Sequence, residues 1–338
     1  MTVHILVPDG VDDPRRPSGG NVYDRRLRAG LTVLGREVRE HRIGAATLDA
    51  VLAGLPDRAV VLVDGLIAST TDVLVADSRR LRVAVLLHMP GSGPAEPAVL
   101  DAVAAVVTTS AWSRAWVLDR VPGASVQVAR PGVDLGPTVA GTAGGTHLLC
   151  VGPVTPAKGY DDLLGALAEV RDLDWHCRCV GALDLAPSYV ESVRARAGRL
   201  GLGDRLELLG PMSPARLDDV RTASDLVVAP SHRESYGMAL AEGLARGLPA
   251  IATDVGGHPE ALGRADDGTL PGALVPVGDP VGLGQALRAW LCDADRRARW
   301  RAAALGRRTG LEGWTATAAA VDGVLNRIAP GVVLTGDG

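Results

Sequence analysis

The chain has 338 residues, 47% of them hydrophobic and 22% charged, with a formal net charge of −4. That is enough for two domains of ordinary size, each with a normal core, and it excludes wholesale disorder. The slightly negative balance argues against a general nucleic-acid binder, and no apolar run in the sequence reaches membrane-spanning length.

The opening "MTVHILVPDG" has no basic region before its apolar run, so it reads as a first buried strand at 3–7 and not as a signal peptide. Further strands are expected at 59–64, 82–88, 104–109 and 125–129, separated by helical patterns such as 21–34 and 111–119. Residues 133–145, "VDLGPTVAGTAGG", are small, breaker-rich and without apolar period, which is the composition of a linker. The alternation restarts at "THLLCVG" and continues through "LDWHCRCVG", "RLELLG", "DLVVAPS", "PAIATD" and "GALVPV". Two long helical patterns, 280–308 and 312–328, close the chain. Continuous apolar strands alternating with helices specify an α/β class with parallel sheets covered on both faces. The expected domains are 1–132 and 146–311, both Rossmann-like and doubly wound, and on such sheets ligands sit beyond the carboxyl ends of the strands.

The four cysteines are few and irregularly spaced. Cys177 and Cys179 alternate along one strand and share a face; with His176 alone beside them they lack the four ligands of a structural zinc, and they read as small core residues of a reducing cytoplasm. Neither "VHILVPDG" nor "LLCVGPVT" is followed by the Gly-x-Gly-x-x-Gly turn of a nicotinamide oxidoreductase.

Chemistry concentrates in "PSHRESYGMALAEGLARGLPAIATDVGG", residues 230–257. A buried strand ends at Pro230-Ser231, a helix runs to a stop at Gly247, and the loop between them carries Glu234. Backbone amides of Ser235, Tyr236, Gly237 and Met238 are expected at the helix start, where anions bind, with Gly237 allowing close approach. Glu242 is expected about 6 to 8 Å further along at ~1.5 Å rise per residue. Carboxylates can accept hydrogen bonds from sugar hydroxyls while peptide amides hold phosphate.

This segment resembles the donor-binding signature of retaining glycosyltransferases of family four, the glycogen synthase-like or group 1 enzymes of GT-B fold. Other pieces follow in the family's order: "SGGNVYDRRLRAGLTVLGREV", "LLHMPG", "ARPGVD", "VGPVTPAKGYDDLLGAL", "LLGPMSPARLDDV" and "GALVPVGDPVGLGQAL". Together they cover about residues 3 to 325. The resemblance implies two domains facing across a cleft, with the C-terminal helix, about 312–330, returning to the N-terminal domain. It further implies that Glu234 contacts the transferred sugar, that amides near Tyr236, Gly237 and Met238 hold the distal phosphate, and that Glu242 bonds the ribose. Gly19 and Gly20 would approach the diphosphate and Lys158 would pair with it as a point charge. His88 would touch the reacting sugar or the acceptor, and Gly210, Pro211 and Met212 would edge the base. One departure stands out, since Pro153 occupies the place of the family's usual arginine and offers neither a side-chain donor nor a backbone N–H. Arg130 and Arg233 are candidate replacements.

The implied reaction is metal-independent, retaining transfer of a hexose, glucose or N-acetylglucosamine in type, from a nucleoside-diphosphate sugar. UDP is the expected nucleotide, the acceptor a small molecule, and no cofactor is expected beyond the sugar nucleotide as co-substrate. The expected setting is cytoplasmic, without nucleic-acid partners or a transmembrane segment. The alternatives are a non-catalytic nucleotide-binding partner protein of the same fold and a sugar-nucleotide epimerase. The assignment requires that both acids face the cleft; acids turned away, or buried in ion pairs beneath it, would remove it.

Overall fold

The computed structural model describes residues 1–13, 17–44 and 47–329. They divide into two compact units, the first formed by Met1–Val11, Gly20–Pro131 and the segment from Trp314, the second by Asp12–Gly19 and Gly132–Gly313.

In the first unit six strands form one sheet: β1 (Thr2–Pro8), β2 (Glu37–Ile43), β3 (Val60–Asp64), β4 (Arg82–Leu87), β5 (Ala105–Thr108) and β6 (Val126–Val128). Their spatial order is β2-β1-β3-β4-β5-β6, every pairing parallel. Strands β3 and β5 are buried at every residue, as continuous Val/Leu/Ala runs between two helical layers must be. The sequence reading omitted β2, "EVREHRI", and the reason is physical. It is an edge strand whose only buried residue is Ile43, so its charges face water and its apolar signal is weak. Glu37 pairs with Arg39 along it at 2.6 Å.

The C-terminal helix, Trp314–Ile328, belongs to this first unit. Ala318, Val321, Val324 and Leu325 enter the cluster built on Val3, Ile5 and Leu27. Thr317 Oγ1 donates to Arg130 O at 2.7 Å, and Arg36 grips Asp322 with two nitrogens at 2.5 and 2.9 Å. Pro330, the last residue of the expected helix, lies outside the described residues.

The second unit has β7 (His147–Val151), β8 (His176–Val180), β9 (Leu206–Gly210), β10 (Leu226–Ala229), β11 (Ala250–Thr253) and β12 (Gly272–Val275). They are ordered β12-β11-β10-β7-β8-β9, again parallel throughout. From β7 the chain builds outward to β9, then returns to lay β10 on the other side of β7. The strand order therefore reverses between β7 and β10. Cys150, Cys177 and Cys179 are buried in this unit's core with Trp175 and Trp290, whereas Cys292 is exposed.

One expectation is corrected in this unit. The helical pattern 280–308 is two helices, Pro280–Cys292 and Ala294–Thr309. Asp293 separates them in an extended conformation and caps the second by accepting from Arg296 N at 2.9 Å. Residues 133–145, expected as the linker, have no regular structure and are fastened to this unit. Val133 is buried beside Val227 and Tyr236, Val139 N donates to Arg246 O at 2.9 Å, and Thr142 Oγ1 donates to buried Asp225 at 2.7 Å. Among the described residues no helix is long and apolar enough to cross a membrane.

Candidate functional site

A small cavity lies in the second unit where β7 and β10 end, at the point where strand order reverses. This is the position at which an open α/β sheet leaves a crevice, because the flanking loops diverge to opposite faces. Its wall includes Gly152 beyond β7, Pro230 and Ser231 beyond β10, and three residues named from the sequence: Lys158, Glu234 and Gly237.

Close backbone approaches position these groups. Lys158 ends a 3₁₀ turn, Pro156–Lys158, and Gly159 follows in the left-handed region at φ 68°. A Cβ on Gly159 would stand 1.9 Å from Pro230 O, so only glycine lets the two loops meet. His232 N donates to Ala157 O at 2.8 Å, and the His232 ring meets Asp162 at 2.7 Å. From the other side, the loop after β11 presses Gly256 and Gly257 onto the Glu234–Ser235 backbone, where added Cβ atoms would fall 1.7 Å from Glu234 O and 2.3 Å from Ser235 O. Gly257 N donates to Glu234 O at 3.1 Å. The "GG" of the quoted segment thus fixes the main chain that carries Glu234, a role not read from the sequence.

Lys158 Nζ donates to Glu234 Oε2 at 2.6 Å, with the two side chains 25% and 16% exposed. Burial works against ionisation of Glu234, but the Lys158 ammonium, with His258 and the Ser235 amide, outweighs it and holds the carboxyl below its ordinary range. His258, missed in the sequence reading, is the first residue of helix His258–Leu262 and lines the same cavity. Its Nδ1 lies 3.0 Å from Thr253 O, which can only accept, so Nδ1 carries the hydrogen. Burial, opposed by Glu234, keeps its pKa below the usual histidine value. Its Nε2 lies 3.9 Å from Glu234 Oε2.

Both acids are ion-paired, in different ways, and neither is sealed in its pair, since their side chains keep 16% and 28% exposure. Glu234 is paired within the cavity wall by another residue named for the site. Glu242, on helix Met238–Leu244, does not line the cavity; its carboxylate is held by Arg221, a side chain only 8% exposed that the sequence reading did not name. Burial raises the Glu242 pKa, with Arg221 opposing, and its side chain keeps 28% exposure.

The remaining named residues disperse. Ser235 is buried, and Tyr236 packs into the apolar cluster with Leu240 and Ala261. Met238 packs against the same cluster. Gly210 ends β9 at the far edge of the sheet and Pro211 and Met212 follow it, all three outside the cavity wall. Gly19 closes the segment grouped with the second unit, while Gly20 and His88 belong to the first. Arg130 and Arg233 are exposed, and Pro153 is half-buried.

Comparison with known proteins agrees with this geometry. Residues 143–307 match the family model for glycosyl transferases group 1. The likeness to group 1 glycosyltransferases is carried by that segment. The chain is 34% identical over 213 residues to a D-inositol 3-phosphate glycosyltransferase of Segniliparus rotundus, covering 59% of this chain and 46% of that one. It is 32% identical over 245 residues to that of Streptosporangium roseum, 65% of this chain and 54% of that one. The matches span about half the length of these curated relatives. Among solved structures, sucrose-phosphate synthase from Thermosynechococcus elongatus aligns with a TM-score of 0.83 at 19% identity, covering 97% of this chain and 99% of that one. Anabaena Alr3699/HepE in complex with UDP and glucose aligns at 0.75 and 19%, covering 96% and 99%. These likenesses establish the GT-B fold, as two six-stranded parallel sheets with flanking helices.

Proposed function

We propose that this glycosyltransferase moves a hexose, glucose or N-acetylglucosamine in type, from UDP to a small-molecule acceptor with retention of anomeric configuration. The observation that supports it best is the Lys158–Glu234 pair on the wall of the cavity where β7 and β10 end. The pair is a satisfied resting arrangement that an incoming donor can re-partition. The diphosphate takes hydrogen bonds from Lys158 and from amides around Gly237, and the sugar hydroxyls take over the Glu234 carboxylate. Glu242 accepts from the ribose through its exposed side while Arg221 fixes it in place.

In the transfer itself the anomeric C–O bond to the leaving phosphate breaks and the acceptor oxygen bonds the same face of that carbon. The acceptor proton passes to the departing phosphate. The task of the protein is to stabilise negative charge growing on the diphosphate, and Lys158 meets it without a metal in this reading. The relatives named for D-inositol 3-phosphate and the neighbour holding UDP and glucose support a UDP-hexose donor and a small, soluble acceptor; in this reading the first unit takes the acceptor beside His88.

The test is thermal denaturation against a panel of UDP, GDP and ADP and their hexose conjugates, followed by donor turnover in EDTA. A ligand selective for the folded state raises Tm with concentration. We expect UDP compounds to do so, and Glu234→Gln to lower turnover by about 10²-fold or more in a protein that still folds. Binding without transfer or donor hydrolysis, with every acceptor tried, would instead favour a non-catalytic nucleotide-binding protein, the reading that Pro153 supports.

A further inference from the structure

The first unit holds a buried charged cluster that the donor site does not use. Asp24 on helix Gly19–Val33 and Asp64 at the end of β3 have side chains only 4% exposed, and both face His88, the residue after β4. His88 Nε2 lies 2.9 Å from Asp24 Oδ1 and 3.5 Å from Asp64 Oδ2. The ring has little room to turn. Tyr23 meets it edge-on at 5.1 Å between centroids, and a Cβ on Gly20 would stand 3.1 Å from its Cδ2. Tyr23 is itself fixed, its hydroxyl donating to Ala129 O at 2.9 Å.

The acceptor atoms of the two acids are unevenly employed. Asp64 Oδ1 accepts from Leu66 N at 2.6 Å and so caps the short helix Gly65–Ala68. Asp24 Oδ2 is buried with no hydrogen-bond partner. A carboxylate oxygen sealed from water without a donor is costly, and two full negative charges side by side add to that cost. One imidazolium offsets one of the charges. A single proton on the carboxyl pair offsets the other and supplies the donor that Asp24 Oδ2 lacks.

We propose that Asp24 and Asp64 share one proton and act as a positioning pair, fixing His88 as an imidazolium that offers its Nδ1–H to an oxygen of the acceptor. Two linked tendencies agree with this. Burial pushes Asp64 up to about 7, with His88 opposing and Asp24 adding. Burial disfavours the His88 cation, yet Asp24 and then Asp64 outweigh it and raise its pKa above the usual histidine value. The charged and titratable groups acting on His88 are Tyr23 and Asp24 from the first helix and Asp64 from the strand end. The identity of the ligand rests on the glycosyl-transfer reading; the state of the cluster does not. The same three side chains have ligand atoms within 4.8 Å of one another, so a divalent cation is the competitor for the shared proton.

The experiment is a nitrogen-15 NMR titration of histidine-labelled, EDTA-treated full-length protein from pH 5 to 9, with His88 assigned from His88→Gln. The wild-type spectrum alone decides the first point. His88 should keep both ring nitrogens protonated through pH 7 and respond near pH 7 as the shared proton leaves. Asp64→Asn should remove that response while His88 stays cationic beside Asp24. In Asp24→Asn its own midpoint should fall. A single His88 transition near 6.5, unmoved by either variant, overturns the proposal. So does loss of the titration, with a rise in Tm, on adding one equivalent of Zn²⁺ or Mn²⁺, which would make the cluster a metal site. Nucleotide binding in the second unit is measured separately, so failure of the donor reading is seen independently of this result.

Discussion

Replacing Lys158 by methionine keeps the apolar stem and removes the ammonium 2.6 Å from Glu234 Oε2. At an effective dielectric of ~20, that contact corresponds to roughly 6 kcal/mol of gross attraction, most of it offset by desolvation in the wild type. Removing one partner leaves the desolvation of the other uncompensated, at a cost of about 3–5 kcal/mol when burial is complete. Here the side chains keep some exposure and Glu234 also has the Ser235 amide, so about 2–3 kcal/mol is expected. The pH dependence carries a definite sign. Glu234 is held below its ordinary value of 4.5, so its contribution is present above that value and is lost as pH falls through the folded-state pKa. In Lys158→Met, burial raises the carboxyl instead. The stability gap between the proteins should therefore be full at pH 7 and shrink toward about pH 4. Urea unfolding at both pH values measures it, and Lys158→Met/Glu234→Gln should recover most of the loss. A gap below about 0.5 kcal/mol at pH 7, equal at pH 4, would refute the reasoning. Binding of UDP to Lys158→Met should also weaken about tenfold or more, as expected for one lost charge-assisted hydrogen bond.

Other consequences follow from particular contacts. Gly159→Ala places a Cβ at 1.9 Å from Pro230 O at a positive φ, and should cost roughly 3 kcal/mol or more in urea unfolding while abolishing donor binding. Arg221→Met removes the nearer of the two cations acting on Glu242, leaving Arg246; a loss of about 2–3 kcal/mol is expected, with UDP affinity falling more than affinity for inorganic diphosphate if Glu242 reads the ribose. A thiol reagent should label Cys292 alone in the native protein and the other three cysteines only in denaturant, with the slow phase following global unfolding.

Much of this protein was legible without coordinates, because the strongest signals were local. Short, valine-rich apolar runs such as those of β3 and β5, bounded by breakers, read as strands covered on both faces, and their alternation with helices gives a doubly wound order. The segment with Glu234 was readable for the same reason, since it lies at a strand end where short-range spacing places a side chain, whereas Lys158 was named through the family resemblance alone. Strand β2 was invisible because an edge strand exposes its charges, and the break at Asp293 was lost inside a pattern that stays helical on both sides.

What the sequence could not contain was distance between segments. Arg221 reaches Glu242 across 21 positions, Lys158 reaches Glu234 across 76, and His88 reaches Asp24 across 64. No periodicity encodes such meetings; they depend on which strands become neighbours and how closely glycines let loops approach. Local propensity and patterning determined the alternation of elements, whereas the pairing of the charges was decided by the sheets. A buried charge is stable only beside its partner, and the partner is chosen by topology.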